Sequence, residues 1–224
     1  MSVLVDVSNI TKKYGRIQAV KELSFKLHSG EFVGLVGPNG AGKSTTIKIL
    51  AGQLFPSSGT IWIDGVQEDL NELRRKIGYV PEFPELYGYL TAREMLEFVR
   101  DLRGGGDLDW ALALTGLGAD ADRQIREYSQ GMRRKTAIAC ALIAKPKVLI
   151  LDEALNGLDP PSSSRVLKEL EKLREAGHVI LLSTHVLETL ERVATRVLMM
   201  EEGVVKADLS ADDLKKMYEF LPAH

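Results

Sequence analysis

The stretch EFVGLVGPNGAGKSTTIKIL, residues 31–50, constrains this chain more than any other. An apolar run of strand character enters a loop with glycines at 37, 40 and 42, and a helix-forming run leaves it at Lys43. Gly37 to Ser44 fits the spacing G-x-x-x-x-G-K-S/T in the strand–loop–helix setting that gives the spacing its meaning. Backbone N–H groups must converge on phosphate oxygens there, and glycines permit the close approach and the positive φ angles this requires. The helix start adds its own positive end. Lys43 is then placed to neutralise β- and γ-phosphates, and the Ser44 hydroxyl to take a position on Mg²⁺. The expected nucleotide cradle is Gly37, Pro38, Asn39, Gly40, Ala41, Gly42, Lys43, Ser44 and Thr45. A glycine turn that merely caps a helix is the alternative, and the flanking strand and helix count against it.

The rest of the chain has the organisation such a loop needs. Short β-branched runs come first: VLVDVSNI, LSFKLHSG, EFVGLVG, GTIWIDG and IGYVPE. TAREMLEFVRDL then opens a helix with Thr91 and Glu94 in capping-box spacing, and apolar Met95, Leu96, Phe98, Val99 and Leu102 behind it. RGGGDLDWALALTGLG reads as a glycine turn into a short helix, and a further helix spans about residues 130–144. From KVLILDE onward, apolar strands alternate with helices, and RVLMMEEGVVKA reads as a closing hairpin. SADDLKKMYEF reads as a short terminal helix. This pattern predicts an α/β fold with a mostly parallel core sheet and a helical insertion over residues 83–142.

KVLILDE places Asp152 and Glu153 at the carboxyl end of an apolar strand, the edge at which open α/β sheets bind ligands. Asp152 suits Mg²⁺, held through water, since this ion keeps much of its hydration shell. Glu153 suits the water that attacks a γ-phosphate. A strand ending in two acids is by itself ordinary; the phosphate loop gives the pair its meaning. LLSTHVLE ends another strand at His185, which the same sheet edge would aim at the γ-phosphate.

Composition closes off other classes. Net charge is −2, from 29 Lys+Arg against 31 Asp+Glu, which offers no electrostatic reason for nucleic-acid binding. The one cysteine, Cys140, rules out an intrachain disulfide and a multi-cysteine zinc site, and its apolar setting suits a small core residue. Apolar runs fall short of the about 18 residues a membrane span needs. MSVLVDVSNI has no basic segment followed by a secretory core. The expectation is a cytoplasmic chain without direct membrane insertion.

Taken in order, these motifs resemble the ATP-binding cassette (ABC) ATPase family over essentially the whole chain. KKYGRIQAVKELSF resembles its adenine-stacking segment, with Tyr14 as the aromatic. YSQGM, Tyr128–Met132, resembles its signature, with Ser129, Gln130, Gly131 and Met132 after the tyrosine. LDE resembles its acidic motif, NGLDP with Asp159 its dimer-contact loop, and STH its histidine switch. The resemblance implies a P-loop NTPase of the ABC type: a single domain over 1–224, with 1–82 and 143–224 as a RecA-like core plus an antiparallel β subdomain. Residues 83–142 would be a helical subdomain carrying the signature. It implies ATP and Mg²⁺ as cofactors. It also implies a second cassette as partner, identical or related, whose nucleotide would meet Ser129 and Gly131. Catalytic roles would fall to Glu153, His185 and Glu82, and metal contacts to Ser44, Asp152 and Glu82.

The same resemblance implies a transmembrane permease partner and a peripheral place on the inner face of the cell membrane. YSQGMRRK is closer to exporter signatures than to importer ones. Phe83, Leu86, Tyr87 and Tyr89 are candidate permease anchors, equally plausible as core. Two departures bear on the hydrolysis rate: Glu82 stands where most members place Gln, and Ala154-Leu155 where they place Pro-Thr. A degenerate, regulatory cassette and a non-transport ABC ATPase are the alternatives.

Overall fold

The computed structural model describes residues 2–213. Two sheets share the molecule. In the first, β1 (Val3–Tyr14) and β2 (Ile17–His28) form a long antiparallel hairpin, and β4 (Ser58–Ile63) and β5 (Val66–Gln67) extend the far edge of β1. The second runs β10-β9-β3-β8-β7-β6. Its strands β3 (Phe32–Val36), β6 (Ile77–Val80), β7 (Val148–Asp152), β8 (Val179–Ser183) and β9 (Arg196–Glu201) are parallel, and β10 (Val204–Ser210) returns antiparallel on β9.

Every residue of β3, β7 and β8 is buried, as their unbroken apolar runs require of strands covered on both faces. Successive side chains point to opposite faces, and the two faces feed two separate cores. Leu149, Leu151, Ile180 and Leu182 join Ile138, Leu142, Leu167 and Leu170 from α5 (Gln130–Leu142) and α6 (Pro160–Glu175). Their neighbours Val148, Ile150, Val179 and Leu181 join Ile47 and Leu50 of α1 (Lys43–Leu50), together with Val5, Val7 and Leu27 of the antiparallel sheet. Half-buried Cys140 packs where the first core meets the helical insertion, and desolvation pushes its thiol up to about 12.

The expected helices form. Thr91 and Glu94 complete a reciprocal capping box at α3 (Ala92–Leu102), α4 (Leu108–Thr115) follows the glycine turn, and α7 (Leu187–Val193) precedes the closing hairpin. The apolar face of α3 differs from the expectation. Met95 and Leu96 are buried, whereas Leu102 is exposed and Phe98 half-exposed, the latter edge-on to Tyr87 with ring centroids 5.9 Å apart. Leu86 packs against the core, while Phe83, Tyr87 and Tyr89 are exposed. The terminal helix begins with a turn over 211–213; the remainder of that expected helix lies outside the described residues. Among the described residues no helix is long and apolar enough to cross a membrane.

Helix α2 (Leu70–Lys76) has no counterpart in the sequence reading. Asp69 caps its start, and Arg103, just past α3, closes its end by donating to the carbonyls of Arg74, Arg75 and Ile77. Burial pushes the Arg103 guanidinium below its usual range, so the charge is retained against desolvation by these three acceptors. Arg103→Met strands the carbonyls and is expected to destabilise the fold by about 2 kcal/mol. Urea unfolding measures this, and ATP affinity is expected to stay unchanged because the phosphate loop is untouched.

Candidate functional site

The loop between β3 and α1 is a stiff mould. Gly37, Gly40 and Gly42 have φ of 146°, 80° and 100°, a region that disfavours side chains. A Cβ on Gly37 would fall 2.0 Å from the Met200 carbonyl, and one on Gly42 2.5 Å from that of Ala19. The wall continues with Gly203, whose N–H donates to the Ala41 carbonyl. Lys43 folds its ammonium back onto the carbonyls of Gly37 at 2.6 Å and Pro38 at 3.1 Å. Pro38, Asn39, Gly40 and Ser44 are exposed, Thr45 is half-buried, and no acidic residue occupies the first turn of α1. The positive end of that helix therefore faces outward unneutralised.

Tyr14 closes β1 opposite Ile17, two residues before the Ala19 that packs on Gly42. Its ring is half-exposed, with the Lys12 ammonium 5.2 Å from the centroid.

Parallel register brings the acids to the same edge. Ser183 pairs with both Leu35 and Asp152, and Val80, two residues before Glu82, pairs with Leu151. Asp152 is buried, and the Ser183 hydroxyl donates to its Oδ1 at 2.6 Å. Burial raises the Asp152 carboxyl above the usual range and Glu153 adds to this, against the opposing pull of the Ser183 hydroxyl, Lys48 and Lys43. Tyr79 is pushed up to about 12 by burial first, with Asp152 and Glu82 contributing. Glu153 has φ of 49°, held by its N–H donating to the Ser183 hydroxyl and carbonyl. Its Oε2 accepts from Asn156 Nδ2 at 2.6 Å and lies 3.1 Å from His185 Nδ1. Glu153 and His185 therefore meet at the carboxyl edge of the sheet.

The turn before α5 presents Ser129 and Gln130 to solvent; Ser129 caps the helix by accepting from the Met132 N–H. Gly131 lies behind them, 3.7 Å from the Gly157 carbonyl by its absent Cβ. Asp159 caps α6, both its oxygens taken by Ser162, which holds its carboxyl below the usual range.

Residues 20–156 match the family model described as ABC transporter. The chain belongs to the ABC transporter family. The bacitracin transport ATP-binding protein BcrA of Enterococcus faecalis is 35% identical over 222 residues, 96% of this cassette and 72% of that protein. The Nod factor export ATP-binding protein I of Burkholderia orbicola is 39% identical over 207 residues, 89% and 68%. A dimeric, post-hydrolysis ATP-binding cassette bound to ADP and Pi superimposes with a TM-score of 0.85 at 27% identity, covering 93% of this cassette and 99% of that chain. This cassette is an ATP-binding transporter subunit of the P-loop ABC fold, and ATP hydrolysis is its reaction.

Sequence reasoning passed over two members of the cassette's acidic edge. Ser183 holds both acids and Asn156 holds Glu153; they are the first residues of STH and NGLDP, and the sequence reading gave neither a role of its own. Leu155 and Ala154 are buried in the core rather than turned to the edge. No three or more His, Cys, Asp or Glu side chains converge among the described residues. The Asp152 carboxylate and the Ser44 hydroxyl are hard oxygen donors that suit a magnesium ion, which takes one or two protein oxygens and fills its shell with phosphate and water. Ser183 engages only Oδ1 of Asp152, and the Ser44 hydroxyl is exposed.

Because its pKa is raised, ionised Asp152 opposes folding above the folded-state pKa, and this penalty fades as pH falls through it. Asp152→Asn keeps an acceptor for Ser183 and removes the charge. It is expected to raise the melting temperature of the nucleotide-free protein at neutral pH while abolishing ATP turnover; thermal unfolding and phosphate release measure the two effects.

Proposed function

We propose that two copies of this cassette, or this one and a related one, close head to tail around two ATP molecules and drive a separate transmembrane permease in the direction of export. One observation carries the head-to-tail reading. Gly131 has an ordinary helical backbone, and a Cβ there would make only van der Waals contact within its own chain. Glycine is less favourable than alanine in a helix, by about 1 kcal/mol in the interior, and nothing among the described residues requires it here. A phosphate approaching the exposed Ser129 turn from a partner's loop does require it, and a two-fold interface makes the contact reciprocal.

On this reading the residues divide the work. Gly37 to Thr45 hold the phosphates, and Lys43 leaves its carbonyl partners for the β- and γ-oxygens. Tyr14 stacks on the adenine. Ser44, Asp152 and Glu82 hold Mg²⁺, which when bound offsets phosphate charge and the burial penalty on Asp152. Glu153 accepts a proton from the attacking water as the water oxygen bonds to the γ-phosphorus and the bond to the β-bridging oxygen breaks, leaving ADP and phosphate. His185 and Asn156 fix the Glu153 carboxylate that does this. Ser129, Gln130, Gly131 and Met132 meet the partner's nucleotide, and Asp159 shapes the loop between the two subunits.

ATP thereby favours the closed dimer and its loss the open one, and a permease bound to both states is switched by that difference. Phe83, Tyr87 and Tyr89, exposed on the helical insertion, are the permease contact, which places the cassette on the cytoplasmic face of a membrane. Export is supported by the likeness to the Nod factor export protein.

Glu153→Gln retains acceptors for Asn156 and His185. It is expected to lower turnover by at least about 100-fold and to elute as a dimer when ATP is added. Hydrolysis at the parent rate removes Glu153 from catalysis, and a monomer in saturating ATP sinks the head-to-tail reading. Gly131→Asp is expected to fold with an unchanged melting temperature and to stay monomeric with ATP, because its carboxylate repels the partner's phosphate.

A further inference from the structure

Arg134 sits on α5, one turn beyond Gly131, and touches two other segments of the site. Its Nη2 donates to the Glu82 carbonyl, and its Nη1 lies beside Gly157, 3.6 Å from where a Cβ would stand. The Gly157 carbonyl is in turn the nearest neighbour of the Gly131 Cβ position. One guanidinium therefore meets the segment after β6 and the loop after β7 from the helix that carries the Ser129 turn.

The Glu82 segment needs such a tether. Residues 81–90 have neither helix nor strand. Their second half is fixed by the N–H groups of Arg126 and Ile125 on the carbonyls of Gly88 and Leu90. The first half exposes Glu82, Phe83 and Glu85. There the Arg134 bond is the side-chain hydrogen bond holding Glu82, and a charged, planar donor fixes an acceptor better than a neutral one.

We propose that Arg134 is a positioning residue: it ties the carbonyl of Glu82 to the signature helix, so that Glu82 takes its working position when that helix engages the partner's nucleotide. The inference rests on the head-to-tail reading above. It links the half-site that a cassette offers its partner to the half-site at its own phosphate loop, within one chain and through one side chain.

Steady-state ATP hydrolysis by the full chain tests it, with Arg134→Met, Arg134→Lys, Glu82→Ala and the double variant Arg134→Met/Glu82→Ala. Arg134→Met is expected to lower kcat about tenfold and leave KM for ATP within about twofold, with the nucleotide-free melting temperature unchanged. The double variant is expected to be no slower than Glu82→Ala alone, since a residue acting through another adds nothing once that other is gone. Arg134→Lys, still able to donate to the carbonyl, is expected to recover most of kcat. Parent kcat in Arg134→Met, losses that multiply in the double variant, or a kcat loss matched by falling ATP affinity and melting temperature would each overturn the proposal. ATP-driven dimerisation of Glu153→Gln, measured alongside, separates the two ideas: a monomer removes both, whereas a dimer with multiplying losses removes Arg134 alone.

Discussion

Parallel pairing holds the carboxyl ends of β3, β8, β7 and β6 at nearly one level. Leu35, Ser183 and Asp152 share a register line, and Val80 stands opposite Leu151 one residue back. A phosphate loop, two acids, a histidine and Glu82, scattered over about 150 residues of sequence, leave the sheet along a single edge for that reason alone. Ser183 is the pivot of the arrangement, because its hydroxyl donates to Asp152 while its hydroxyl oxygen and carbonyl both accept from Glu153.

The edge is assembled against local preference. Asp152 is ionisable and buried, Glu153 is a non-glycine residue with positive φ, and the Gly37 position admits no side chain at all. Each is unfavourable by itself, and each is held by the two packed cores behind it. A glycine loop shaped in this way before any ligand arrives lets binding energy go into drawing two subunits together instead of ordering that loop.

Most of this was legible in the residues, for identifiable physical reasons. The central strands are covered on both faces, so they read as unbroken apolar runs, and the helices α3 and α6 carry their caps in sequence. What stayed hidden was disguised by irregularity. Asn9 and Glu22, at positive φ in a bulged hairpin, break the alternation that would have shown β1 and β2 at full length. Helix α2 is short and polar, and its end is closed by Arg103 from 27 residues beyond it, which no local pattern records. Phe98 and Leu102 fit the helical period of α3 yet face outward, because periodicity assigns a face without saying how far round the helix its neighbours reach. Asn156 and Ser183 bear no chemistry of their own and were visible only as supports, once the acids they hold had been placed.

The division of alternate residues of β3, β7 and β8 between two cores has a consequence for how this chain can vary. Each side chain in these strands is allotted to one oil phase or the other by odd or even position, with no polar face to absorb a mistake. Losing a single residue from β7 would therefore exchange every partner along the strand and carry the Asp152 carboxylate off its serine in the same stroke. Length is thus as tightly held in these strands as identity is in the glycine loop, and inherited insertions belong in the turns at the opposite, amino-terminal ends.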